Sequence, residues 1–119
     1  MILLFQLFLL FMIADQPRQV LLFYNDKGKE LLQKQTSEFG TSQKGMEERD
    51  ILVRSYPLSA ENAAVFKKWK ISNADNFTFI LVGRDGGEKY RAHAFVSHQD
   101  LFGRIDAMPM RKNEVGNNK

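Results

Sequence analysis

The chain has no cysteine. That absence excludes a disulfide, a thiolate nucleophile, a zinc–thiolate site and an iron–sulfur cluster together. Only two histidines occur in 119 residues, His93 and His98, whereas a metal site needs three or four ligands. The nearby Asp100 is better used at a helix start than as a ligand, so no metal or cofactor is expected. Positive charge is in mild excess, 17 Lys plus Arg against 14 Asp plus Glu, and it is spread along the chain. Nucleic-acid binders gather such charge into a stripe with aromatics between; none is visible, and no nucleic-acid partner is expected. Ser37, Ser42, Ser55, Ser59, Ser72 and Ser97 lack a nucleophile-elbow pattern.

What is present begins with an apolar run. Residues 1 to 14, MILLFQLFLLFMIA, carry no charge, and Asp15, Gln16 and Arg18 end the run at once. A membrane helix needs about 20 apolar residues, so the run has the length of a signal-peptide core rather than a span. It is expected to be an export signal, although no basic residue precedes it; the alternative is a buried strand or helix of the domain. A single domain is then expected over 15–115, followed by a polar tail at 116–119.

The stretch from Phe77 to Arg111 organises the rest. Phe77 to Gly83 is β-branched and aromatic enough for a strand buried on both faces, and Asp85-Gly86-Gly87 supplies the positive φ of a hairpin turn. A second strand is expected over Glu88 to Val96. Ser97 stands three residues before Asp100 in a capping-box arrangement, and Leu101, Phe102, Ile105 and Met108 fall on one side of a helix. Upstream, Arg18 to Tyr24 reads as a central strand, followed by a helix capped by Asn25 or Asp26 that buries Leu31, Leu32, Gln35 and Phe39 and ends at Gly40. Glu30 and Lys34 are spaced to pair on its outer face. Gly40 to Asp50 reads as a loop, Ile51 to Tyr56 as a strand ended by Pro57. Ser59 is then expected to cap a helix burying Ala63, Phe66 and Trp69, or Lys70 by its stem. The order β-α-β-α-β-β-α predicts an α/β fold with a mixed four-stranded sheet and helices on both faces, the thioredoxin-like arrangement.

Asp106-Ala107-Met108-Pro109-Met110-Arg111 is not what a simple helix end requires. Pro109 cannot continue the helix, so the chain should bend or stop there. One reading has Met108 and Met110 folding back onto the core while Asp106 pairs with Arg111 or Arg84. The other is a partner-binding surface of adaptable Met side chains flanked by Arg104, Arg111 and Lys112.

Leu81 to Arg91, LVGRDGGEKYR, followed by Leu101 to Arg111, LFGRIDAMPMR, resembles the signature of the DUF4174 domain. Glu48-Arg49-Asp50 resembles that family's acidic-basic-acidic lead into its second strand, and the resemblance runs from Arg18 to Glu114. It implies a thioredoxin-like fold without an established catalytic activity, a domain type found in exported bacterial proteins and, as repeats, in animal extracellular-matrix proteins. Thioredoxin-like redox enzymes place a Cys-x-x-Cys just after the first strand and a cis-proline just before the third. Here Tyr24-Asn25-Asp26-Lys27-Gly28-Lys29 and Asn76 occupy those places, so the fold alone does not imply redox function.

These readings point to an exported, non-catalytic module that binds another protein or a cell-envelope or matrix component. Its candidate residues are Arg84, Asp85, Gly86, Arg104, Asp106, Met108, Pro109, Met110 and Arg111. The alternative is an enzyme using non-thiol acid–base chemistry by Asp26, Glu30 or Asp106 in a cleft at the C-terminal ends of the strands.

Overall fold

The computed structural model describes residues 16–117; the expected export signal at 1–14 lies outside them. Four strands, β1 (Arg18–Tyr24), β2 (Ile51–Pro57), β3 (Phe77–Val82) and β4 (Glu88–Ala92), form one sheet in the order β2-β1-β3-β4. β1 pairs parallel to β2 and antiparallel to β3, and β3 pairs antiparallel to β4. Helices α1 (Lys29–Thr41), α2 (Gln43–Glu48), α3 (Ala63–Lys68), α4 (His98–Asp106) and α5 (Pro109–Asn117) complete the fold. The mixed four-stranded sheet is as predicted from the strand order.

β1 and β3 are central and covered on both sides, which is why they are apolar almost throughout. Alternation then divides the core in two. Val20 and Leu22 of β1 pack with Phe77, Phe79 and Leu81 of β3 against Phe39, Met46, Leu101 and Ile105, under α1, α2 and α4. Leu21 and Phe23 pack with Ile80 and Val82 against Phe66 of α3, with Tyr56 and Trp69 beside them. The Phe23 ring meets Phe66 edge-on at 5.1 Å and stacks on Tyr56 at 5.3 Å, each pair contributing about 0.5–1.5 kcal/mol beyond area burial.

Local signals explain most boundaries. The Asn25 carboxamide accepts from the N–H groups of Lys27 and Gly28 and starts a turn of 3-10 helix ahead of α1. Gly86 has φ +82° at the tip of the β3–β4 hairpin, a conformation costly for any residue with a Cβ. Ser97 Oγ accepts from Asp100 N–H, but the Asp100 carboxylate pairs with Arg104 at 2.9 Å instead of closing the capping box.

Five local expectations are corrected. Gly40 to Asp50 is not a loop: α1 continues to Thr41 and α2 follows, because Met46 has core to reach on the α1 side. β4 stops at Ala92 rather than Val96. Val96 instead bonds Gln35, whose buried carboxamide donates to Val96 O at 2.8 Å and accepts from Val96 N at 2.9 Å. Ser59 makes no side-chain cap, and Ala63 is exposed because a 3-10 turn at Ala60–Asn62 shortens α3 and shifts its buried face to Phe66. Lys34 does not turn to Glu30 but lies 4.5 Å over the Phe95 ring. Beyond Pro109 the chain forms α5, with Gly116 and Asn117 of the expected tail inside it.

Candidate functional site

The antiparallel register puts the C-terminal end of β3 beside the N-terminal end of β1, Val82 opposite Gln19, while β1 and β2 start together at Arg18 and Ile51. One pole of the sheet therefore collects Arg18, Arg49, Asp50 and Arg84. α4 runs to the same pole, and Pro109 lets it turn: α4 ends at Asp106, Ala107 and Met108 form the corner, and Pro109 opens α5, at a position where its missing N–H costs nothing. α5 then lays Arg111 and Glu114 across the pole.

The result is a clasp of charge-assisted hydrogen bonds. Arg18, 1 % exposed, donates to Glu114 Oε1 at 3.2 Å and to Arg49 O at 2.9 Å. Arg84 donates to the same Glu114 oxygen at 2.9 Å, to Asp50 Oδ2 at 2.9 Å and to Gln16 O at 3.1 Å. Asp50 reaches Arg84 from a left-handed backbone, φ +53°, where α2 breaks into β2. Arg49 grips Asp106 with two bonds of 3.0 and 2.9 Å while lying over the Phe102 ring. Arg111 joins the halves, 3.4 Å from both Asp106 and Glu114. The Arg49 guanidinium, ahead of Arg111, holds the Asp106 carboxyl below its ordinary range. Partial burial pushes the Glu114 carboxyl up, but its bonds from Arg18 and Arg84 outweigh that, and it titrates lower than usual.

Asp106 is the last residue of α4, where the helix dipole disfavours a carboxylate, and a compensating cation was expected. Of the two expected partners, Arg111 lies within reach; Arg84 belongs to Asp50 and Glu114. The main partner is Arg49, which the sequence offered only within the Glu48-Arg49-Asp50 lead into β2.

Beside the clasp lies a cleft of about 270 Å³, lined by Arg18, Gly83, Arg84, Asp85, Lys89 and the Met108-Pro109-Met110 corner. Met108 is partly buried against the core, as one reading expected, but Met110 is 48 % exposed and turned to solvent. Asp85 Oδ2 accepts from Lys89 Nζ at 2.8 Å at the rim, and that bond, ahead of the Gly87 N–H, lowers its pKa. Of the predicted residues, Arg84, Asp85, Met108, Pro109 and Met110 therefore line one cleft, and Asp106 and Arg111 join the clasp. Gly86 stays at the hairpin tip, and Arg104 lies over the Tyr90 ring. Arg18, Lys89 and Glu114 were missed. Arg18 left one signal, a cation heading a strand that is otherwise nearly all apolar.

The opposite pole is where a thioredoxin-like enzyme would carry its thiols. Here it carries a pair of amides: Asn25 N–H donates to Asn76 O at 3.1 Å and Asn25 Nδ2 to Asn76 Oδ1 at 3.0 Å. Gly28 packs so near Asn76 O that a Cβ would stand 2.0 Å from it. A depression of about 310 Å³ at this pole has one carboxylate, the almost fully exposed Asp26, paired with Lys29 at 3.4 Å. Of the carboxylates named for the alternative reading, Asp26 lies at this pole and Asp106 at the opposite one. His93 Nδ1 meets Thr78 Oγ1 at 3.2 Å, and His98 Nδ1 meets Glu38 Oε2 at 2.7 Å. Among the described residues no three His, Asp or Glu side chains gather as a metal site, and no helix is long and apolar enough to cross a membrane.

This sheet order, with helices on both faces, defines a thioredoxin-like domain, and solved structures agree. The chain resembles thioredoxin-2 of the malaria parasite, a component of its protein secretion machinery, with 22% identity and TM-score 0.59 over 77% of this chain and 84% of that one. It resembles reduced 2-Cys peroxiredoxin of Plasmodium vivax at 12% identity and TM-score 0.65, covering 87% and 84%. Trxlp from Edwardsiella tarda matches at 18% identity and TM-score 0.57, covering 82% and 90%. Such identities show shared fold alone. No curated protein matches the chain in sequence. More particularly, the chain belongs to the DUF4174 family, a domain of unknown function, whose profile matches residues 9–114 and so takes in the last six residues of the apolar N-terminal run.

Proposed function

We propose that this protein is an exported, non-catalytic thioredoxin-like module that holds a protein partner, in the cell envelope or matrix, through the cleft beside the clasp. The observation that carries the reading is convergence: two segments of the family-like signature, around Asp85 and around Pro109, meet at one cleft. At the pole where thioredoxin-like enzymes work, Asn25 and Asn76 stand bonded to each other in place of the thiols and the proline.

The cleft's size and lining select the kind of ligand. At about 270 Å³ it lies below the roughly 300–1,000 Å³ of small-molecule sites and suits one large apolar side chain on a partner. Met108 and Met110 provide an adaptable apolar wall. Arg18 and Arg84 have their charge neutralised by Glu114 and Asp50, which leaves their stems as lining. Lys89, at the rim, is likewise held by a carboxylate, Asp85 at 2.8 Å, so the cleft selects by its apolar Met wall rather than by charge.

The test is capture from envelope or matrix extracts by immobilised protein, beside Met110→Asp. Met110 is half exposed, so the variant should keep the wild-type melting temperature. A protein retained by wild type and lost from Met110→Asp supports the reading; equal retention by both overturns it. Export has its own readout: protein made with its native N-terminus should begin near Asp15, and an intact Met1 in the soluble cytosolic fraction would contradict it.

A further inference from the structure

We infer that β2 is a self-association edge, two copies of the chain joining their β2 strands antiparallel about a two-fold axis through Val53. Among the described residues β2 is an outer strand, and Leu52 and Val53 are 46 % and 37 % exposed on its opposite faces. Edge strands are ordinarily blunted by lysines, prolines, bulges or inward charges, and in β2 the proline, Pro57, stands only at the last position. Here the pairing with β1 runs from Ile51 to Pro57 without a bulge, and Arg54 is the strand's only charge.

The hydrogen bonds to β1 show which groups look outward. Arg18 N–H donates to Asp50 O and Leu58 N–H donates to Tyr24 O. By alternation, residues 50, 52, 54, 56 and 58 turn their peptide groups inward, and Ile51, Val53 and Ser55 present theirs to the open edge. Pro57, which has no N–H, falls on the open side just beyond them.

Those facts select a partner and a register. A two-fold axis normal to the sheet pairs residues of the same face, so it passes through one residue of β2. Through Arg54 it would set two arginines directly opposite, which is destabilising, and would ask Pro57 for an N–H. Through Leu52 it would reach Asp50, whose φ of +53° is not extended. Through Val53, Ile51 meets Ser55 of the second copy in a doubly hydrogen-bonded pair, and Leu52 meets the stem of Arg54. No like charges stand directly opposite, and the missing Pro57 donor is not needed. The edge is thus its own complement. The groove of about 360 Å³ under it, lined by Phe39, Met46, Ile51 and Val53, takes the incoming side chains of that face.

The inference is independent of the signature cleft, which lies elsewhere. It is tested by sedimentation equilibrium over a concentration series, with cysteine cross-linking that the cysteine-free chain makes unambiguous. Wild type should show twice the monomer mass, and Val53→Lys, which sets two cations on the axis, should be a folded monomer whose melting temperature, unlike that of wild type, does not rise with protein concentration. Paired strands put Val53 within the about 4.4–6.8 Å Cα separation a disulfide spans, and put Leu52 beyond it. Val53→Cys should therefore cross-link under mild oxidation and Leu52→Cys should not. A wild type that stays monomeric, a dimer untouched by Val53→Lys, or cross-linking through Leu52 instead would each overturn the inference.

Discussion

Replacing Glu114 by Gln should cost the domain far more than its place five residues from the C-terminus suggests. The carboxylate bonds Arg18 at 3.2 Å and Arg84 at 2.9 Å, with Arg111 at 3.4 Å. Arg18 is the sensitive partner, because it is fully buried and its other side-chain bond within the clasp is to Arg49 O. Breaking a buried pair from one side costs about 3–5 kcal/mol. Glu114 itself is 29 % exposed, and Gln keeps an acceptor, so about 2–3 kcal/mol is the appropriate range. For a domain of this size that lowers Tm by roughly 10 °C or more. The pH dependence has a definite sign. A carboxyl whose folded pKa is depressed contributes stability that is fully present above its unfolded value, near 4.5, and lost as pH falls through the lower folded value. The advantage of wild type over Glu114→Gln should therefore shrink progressively as pH falls below 4.5. Urea titrations at pH 7 and pH 3.5 measure both effects. Equal midpoints at pH 7, or a difference unchanged at pH 3.5, would refute the clasp as described.

Three further substitutions probe separate links. Asp106→Ala removes a bidentate partner of Arg49, but Asp106 is about half exposed and Arg49 retains Gly45 O and the Phe102 ring. About 1–2 kcal/mol is expected, and a loss of 4 kcal/mol or more in denaturant would show a pair far more dependent on burial. Gln35→Leu keeps the volume but strands Val96 N–H and C=O, so chemical denaturation should show a loss of about 2–4 kcal/mol; a neutral result would mean those groups find water. Gly86→Val, with open space around its Cβ position, should cost about 1–2 kcal/mol through the left-handed backbone alone, and an unchanged urea midpoint would contradict the turn.

The sheet was legible because its signals are local and redundant. The all-apolar run of β3, the Asp85-Gly86 turn and the Asn25 cap each prescribe structure within a few residues. α2 was not, since Gly40, Gly45 and the eight polar or charged residues of Gly40 to Asp50 read as loop, and only the long-range burial of Met46 makes a helix there worthwhile. The candidate site was legible in half. Residue types marked Arg84, Asp106 and the Met-Pro-Met corner as unusual, but the main partners of Arg84 and Asp106 lie 30 to 68 positions away along the chain. Arg18 and Glu114 are joined only by the antiparallel register of β1 and β3 and by the turn at Pro109. Ionic partners far apart in sequence carry no periodicity, so spacing cannot announce them.

The central claim is that partner binding belongs to the pole of the clasp and not to the pole of the absent thiols. Once a partner has been captured, its affinity for three purified variants decides the matter. Met110→Asp should weaken binding by about thirtyfold, the loss of one anchoring side chain of about 2 kcal/mol. Asp26→Ala and Asn73→Ala, on the opposite pole and exposed, should bind like wild type. Full affinity in Met110→Asp together with a thirtyfold loss in Asp26→Ala would place the working surface at the other end of the sheet and contradict the account.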